Sequence, residues 1–426
     1  MARHPRNPAK ENEAYRTLSG AIRFSCALLF AAFSFTLLFC LKGELLAWAQ
    51  HVWSGGVTHY DLLTGAVVIT VALLCVQWAL WRLVPLPLQA HALSYMPSAL
   101  LLAMLTNITP EVVAHFHLGA WAWVAPLVLA LFALLAWGAR LFCPPLRHIR
   151  DGFAILSANL LILLVLCALA GGIDRTPDTL LYELKMERLI GERRYGEATH
   201  VAEKFLHPTP RMLALRGYAL ARTGALAERL LDMPQPFGAD GLLCVTDTAS
   251  RLRRIDSQAI CAYLGAPCGR ITSCPHRPDP TDRYLELLAG RLQAQADTLA
   301  RADTVPGQPL HAQRRINLAR RQRTLDYTLC RLLLQRRMSD FAGLLPSYAP
   351  LHPGEPLPSL YAEALCLVDS ATRARVGEAF APDSLTLQRF AGYRALRDAI
   401  PEPVPRRNLT RRQWGDTFWW YYENPQ

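Results

Sequence analysis

Long, unbroken apolar runs fill the first 171 residues of the chain. Beyond them the pattern turns amphipathic, with apolar positions every three or four residues among charges. The runs are residues 22–41, 62–83, 92–108, 120–142 and 153–171. Four of them approach or exceed the ~20 residues that carry a helix across a ~30 Å hydrocarbon layer. A spanning segment has to be helical, because no water is there to satisfy its peptide groups. The third run is shorter and holds Tyr95, Pro97 and Asn107, so it reads either as a short span or as a re-entrant piece. Gln77, Asn107 and Asn159 are the only amide side chains in the runs, and no Asp, Glu, Lys or Arg lies mid-span. Ion-coupled transport leaves charges inside the membrane. Their absence argues against a pump or proton relay.

Loop charges set an orientation. Arg3, Arg6, Lys10, Arg16, Arg23, Arg82, Arg140, Arg147 and Arg150 fall on one side of five crossings, and only Lys42 on the other. By the positive-inside rule the N-terminus is cytoplasmic, and the large C-terminal block lies outside, in a bacterial periplasm. Dropping the third span would invert the loop of residues 140–150, so the charges favour five. The first run is long for a signal-peptide core, and no small-residue cleavage site follows it. The expected organisation is a cytoplasmic tail (1–21), a transmembrane helical domain (22–172), a periplasmic helical domain (173–410) and an aromatic tail (411–426).

The second half is predicted as paired helices, at 179–191, 195–206, 211–223, 225–231, 283–302, 314–336, 339–345, 357–368 and 385–400. No alternating strand pattern competes. Tyr195, Ala198 and Pro210 have the offsets of the back half of a tetratricopeptide repeat. There a small residue lets two helices approach and a proline ends the second. The stretch that follows echoes it, with Leu226 in the place of Tyr195. The fold class is therefore all-α, a five-helix transmembrane bundle followed by a solenoid-like helical domain that resembles tetratricopeptide repeats.

Composition adds detail. The net charge of +11 comes almost wholly from Arg, since only four Lys occur. It is spread over both halves, which does not suggest a nucleic-acid footprint. Arg314, Arg315 and Arg321 belong to the densest run. They are either a solvated helix face or a site for anionic headgroups or an acidic partner. Cys261, Cys268 and Cys274 sit in a Gly/Pro-rich stretch where an oxidising compartment would permit one disulfide. Free thiols are the alternative. Their spacing, with His276 nearby, matches no compact zinc pattern, so neither a metal nor a cofactor is expected.

Two late pieces of sequence carry a resemblance. Pro358, Tyr361, Glu363, Ala364 and Leu365 form a Pro-x-x-Tyr-x-Glu-Ala-Leu helix, and Thr417, Phe418, Trp419, Trp420, Tyr421 and Tyr422 close the chain. They resemble an uncharacterised Bacteroidetes family of polytopic inner-membrane proteins with a C-terminal helical-repeat domain. The resemblance implies a fold and an address, and brings no activity, cofactor or catalytic residue. The terminal aromatics, with Trp414, read in three ways: a plug on the last helix pair, a membrane-interface contact beside Arg411 and Arg412, or a docking element for another protein.

Candidate chemistry is sparse. His51, His59 and Asp61 lie in the first outer loop, and Glu111, His115 and His117 in the second. Such groups could serve acid–base work or ligate a metal. There is no Walker loop, G-x-S-x-G, H-E-x-x-H or dinucleotide fingerprint. The expected function is a membrane-anchored scaffold, with membrane lipids and envelope proteins as partners and its helical repeats binding a protein or polymer. A transferase acting on a lipid-linked substrate at the outer-loop residues is the competing class.

Overall fold

A computed structural model describes residues 8–109, 112–113, 119–142, 152–172, 176–242, 255, 257–265, 310–376 and 380–424. Among these the regular elements are all helical, as the sequence predicts. The chain divides into two compact units, Met1–Leu184 and Lys185–Gln426.

In the first unit α1 (Pro8–Thr36) runs into a π-helical turn, Leu37–Leu41, and α2 (Gly43–Trp53) and α3 (Leu62–Leu83) follow. A 3₁₀ segment, Leu88–Tyr95, leads into α4 (Met96–Thr106), and α5 (Trp121–Phe142) and α6 (Gly152–Gly172) complete the unit. Among the described residues five helices are long and apolar enough to cross a membrane: Tyr15–Leu41, Leu62–Leu83, Leu88–Thr106, Trp121–Phe142 and Gly152–Gly172. The third is 72% buried within the protein, whereas the others bury only 11–28%.

That position explains why the third run looks weak as a sequence. A helix wrapped by its neighbours does not have to cover itself in apolar side chains, and it tolerates broken backbone where protein groups satisfy it. Asn159 of α6, fully buried, supplies them. Its amide accepts from the Ala92 N–H at 2.8 Å and donates to the carbonyls of Leu88 and Ile155 at 3.0 and 2.9 Å. Gln77 donates to the Ser94 hydroxyl at 2.9 Å, and Ser94 in turn donates to the His91 carbonyl. Ser98 donates to the Leu73 carbonyl of α3 at 2.9 Å. Pro97 sits in the first turn of α4, where a missing N–H costs nothing.

Helix α7 (Asp178–Gly191) crosses the division, and the second unit goes on with α8 (Tyr195–His200), α9 (Pro210–Thr223), α10 (Leu226–Arg229), α11 (Gly238–Gly241), α12 (Ser257–Leu264), α13 (Leu310–Leu334) and α14 (Met338–Leu344). It continues with α15 (Tyr348–Leu351), α16 (Ser359–Leu367), α17 (Ser370–Val376), α18 (Ser384–Ala399), α19 (Pro403–Trp414) and α20 (Phe418–Glu423). The helix predicted over 195–206 stops at His200, and two residues on Ala202 takes φ +55°, a left-handed value that no helix continues through. The helix predicted over 283–302 lies outside the described residues. At α9, Thr209 accepts from the Met212 N–H to begin the helix, and Gly224, at φ +74°, ends it. Every residue from Arg211 to Ala221 is buried. Arg211 reaches buried Glu187 at 2.8 Å, which holds both charges in a paired state.

The two pieces of sequence that carry the family resemblance meet in space. Glu363 on α16 accepts from the Phe418 N–H at 2.7 Å, so its carboxylate caps the first turn of the terminal helix α20. Ala364 beside it is fully buried. Phe418, Trp419, Trp420 and Tyr421 are all buried, and Trp419 packs against Phe390 and Tyr393 of α18. Tyr421 donates its hydroxyl to the Leu334 carbonyl at 2.9 Å. Burial raises the Glu363 carboxyl to about 7, against the opposing pull of the Phe418 N–H and Arg389.

Candidate functional site

A cleft of about 580 Å³ opens in the second unit where α9, α10, α12, α13 and α15 converge. Ala319, Gln322, Arg323 and Asp326 line it from one face of α13, at the i, i+3, i+4, i+7 positions that a helix brings together. The end of α9 contributes Arg222, α10 contributes Glu228 and α12 contributes Tyr263. The segment after α14 adds Tyr348, His352 and Glu355.

The two ends of the cleft differ in charge. At one, the guanidinium of Arg222 lies 3.7 Å from the centre of the Tyr263 ring, and that of Arg323 lies 4.3 Å from it. Arg222 also donates to the Tyr218 hydroxyl at 2.7 and 3.0 Å and faces the Tyr195 ring. Burial pulls its pKa down, but the Tyr218 hydrogen bond and the surrounding tyrosines leave it raised. Among the described residues neither arginine is ion-paired with a carboxylate, and the Nε of Arg323 is buried without a partner.

At the other end Asp326 stands 3.4 Å from His352 Nε2, and the Tyr348 ring stacks on the imidazole at 4.1 Å. Tyr361 donates its hydroxyl towards Asp326 from below. Burial lowers the pKa of His352, and Asp326 with Glu355 and the Tyr348 carbonyl more than offsets this, so the net shift is upward. Glu228 is already engaged, accepting the N–H and hydroxyl of Ser359 at the start of α16. Thr223, the aliphatic hydroxyl of the lining, donates to the Ala219 and Leu220 carbonyls. The walls thus present cations, aromatic faces and a His–Asp pair, and the hydroxyl in reach is spent on backbone.

The residues singled out from the sequence are scattered. Asp61 is the N-cap of α3, accepting the Thr64 N–H at 2.9 Å and its hydroxyl at 2.6 Å, and these bonds hold its carboxyl low. His59 is exposed two residues earlier. Glu111, His115 and His117 lie outside the described residues, as do Cys268 and Cys274, while Cys261 is buried on α12. Arg315 is exposed and Arg321 half-buried on α13, and the side chain of Arg314 lies outside the described set. Phe418 to Tyr421 are buried in the joint described above, with Trp414 and Tyr422 half-buried at its edge. Among the described residues no group of three His, Cys, Asp or Glu comes together as a metal site. The cleft itself escapes a linear reading. Its groups are spread from Arg222 to His352 on five elements, and the one local hint is a histidine between prolines in the turn after Tyr348.

Comparison with known proteins places the whole of this architecture in one family. The chain belongs to a family of unknown function, DUF6057, whose profile matches residues 18–274 and 284–424. No curated protein and no solved structure matches it.

Proposed function

We propose that this DUF6057 member is a membrane-anchored interaction protein of the bacterial envelope. Its five apolar helices fix it in the cytoplasmic membrane, with the N-terminus inside. Its tetratricopeptide-like helical unit is periplasmic and receives a charged, extended segment of a partner protein or envelope polymer. The observation that carries this reading is the cleft of about 580 Å³, a size suited to side chains and short segments, with guanidiniums that meet no carboxylate among the described residues at one end and the Asp326–His352 pair at the other. Two-signed walls recognise a chain by complementarity and orient it. The basic residues flanking the apolar runs support the orientation.

Two measurements test the reading. Protease added to spheroplasts should cut the helical unit while leaving the N-terminal tail intact; protection of the helical unit contradicts the topology. Crosslinking of the tagged, membrane-embedded chain in its host should return a small reproducible set of envelope partners, and Arg222→Glu with Arg323→Glu should empty that set. A set indifferent to both substitutions removes the cleft from the function.

A further inference from the structure

The hairpin α18–α19 carries a feature the cleft does not use. Residues 384–414 hold seven arginines against Asp398 and Glu402. Helix α19 is exposed along nearly its whole length, and only Thr410 is buried. At about 100° per residue, Val404, Asn408, Leu409, Arg411 and Arg412 share the face opposite Thr410. Val404 is 67% and Leu409 46% exposed, so two apolar side chains flank two arginines on an open surface. On the Thr410 side of the helix lies a second cavity, of about 650 Å³, whose lining includes Arg397, Arg406, Arg407 and Asn424. Arg397 is neutralised by Glu423 and Asp398, whereas Arg406, Arg407 and Arg412 make no ion pair among the described residues.

We propose that α19 is a lipid-docking surface that lies on anionic phospholipid, with a headgroup phosphate held by Arg411 and Arg412, the guanidiniums of that exposed face. Guanidiniums match phosphate oxygens in a forked geometry. Val404 and Leu409 enter the interface as apolar residues do on surface-lying amphipathic helices. Only residues 173–177 separate the fifth apolar helix from α7. A chain tethered by its own apolar helices meets lipid at a raised effective concentration, so even a weak lipid contact is favoured. The inference rests on the apolar helices being membrane spans, and it is independent of what the cleft binds.

The test uses the full chain in nanodiscs of phosphatidylcholine alone or with about one third phosphatidylglycerol, read by amide hydrogen exchange. Docking slows exchange in residues 403–414 about 10-fold in the anionic discs, and about 1 M salt reverses the slowing. Exchange across α16 stays the same in both discs, which separates docking from a general change in folding. Combined Arg406→Gln, Arg407→Gln, Arg411→Gln and Arg412→Gln removes the lipid dependence. Equal exchange of residues 403–414 in the two discs, at low salt, overturns docking and leaves the membrane anchor standing. Failure of the chain to enter either disc overturns both. The same slowing produced by inorganic phosphate in phosphatidylcholine discs assigns the arginines to a soluble anion and overturns the lipid surface.

Discussion

Asn159 in the apolar bundle and Glu363 in the helical unit do the same structural work with different chemistry. Each is a single buried polar side chain that satisfies backbone a helix cannot satisfy itself: the 3₁₀ segment for Asn159, the first turn of α20 for Glu363. Asn159 is a neutral amide that donates and accepts at once, so its bonds are indifferent to pH. Glu363 accepts in either protonation state, but it titrates, and burial favours its neutral form. An interior with no water selects the neutral solution. The helical unit, with solvent close by, tolerates the titratable one and becomes pH-dependent through it.

The largest effect should come from the element that Glu363 holds. Trp419→Ala removes the largest fully buried side chain among the described residues and should cost about 3–5 kcal/mol, read as a lowered unfolding midpoint of the full chain in detergent. A change below about 1 kcal/mol would mean that α20 is not part of the folded core.

Next comes the titration of Glu363. Its folded value of about 7 lies above the ~4.3 of a free carboxyl, so the folded state binds the extra proton. The resulting stabilisation is complete below pH ~4.3 and is lost as pH rises through about 7, a difference of about 3–4 kcal/mol. Glu363→Gln, whose amide oxygen can still accept from Phe418, should flatten that part of the pH profile. An unchanged slope in the Gln variant would assign the dependence to another group.

Asn159→Leu should cost about 2–3 kcal/mol, because it strands the Ala92 N–H and the Leu88 carbonyl in an apolar interior. Its cost should be flat in pH from 5 to 8, and a sloping one would break the contrast with Glu363. The smallest change is Asp61→Asn, which keeps an N-cap acceptor and should leave folding and partner capture close to wild type. Loss of function with folding intact would restore the outer-loop residues as a catalytic site.

Much of the fold was legible in the sequence, because apolar length and 3.6-residue periodicity reflect burial directly. Helices such as Ser359–Leu367 and Ser384–Ala399 fall within two residues of their predicted ends. The third apolar helix was found but its place was not, since Tyr95, Pro97 and Asn107 look like flaws until neighbours surround them. Helix α19 has no predicted counterpart, because Pro403 and Pro405 interrupt the helical pattern in the sequence, although a proline in the first turn of a helix is permitted. The cleft was the least legible feature. Arg222, Tyr263, Arg323 and His352 carry no spacing rule that joins them, and only tertiary packing does so.

The most direct test of the account places a photo-crosslinking phenylalanine analogue at Ala319, on the cleft face of α13, in the native host. The same analogue at Arg320, one position on and exposed, serves as the control. The account predicts a discrete adduct from position 319 that is absent at 320 and lost when Arg222 and Arg323 become Glu. No adduct at 319, or the same adducts from both positions, would contradict the claim that this cleft is where the protein meets its partner.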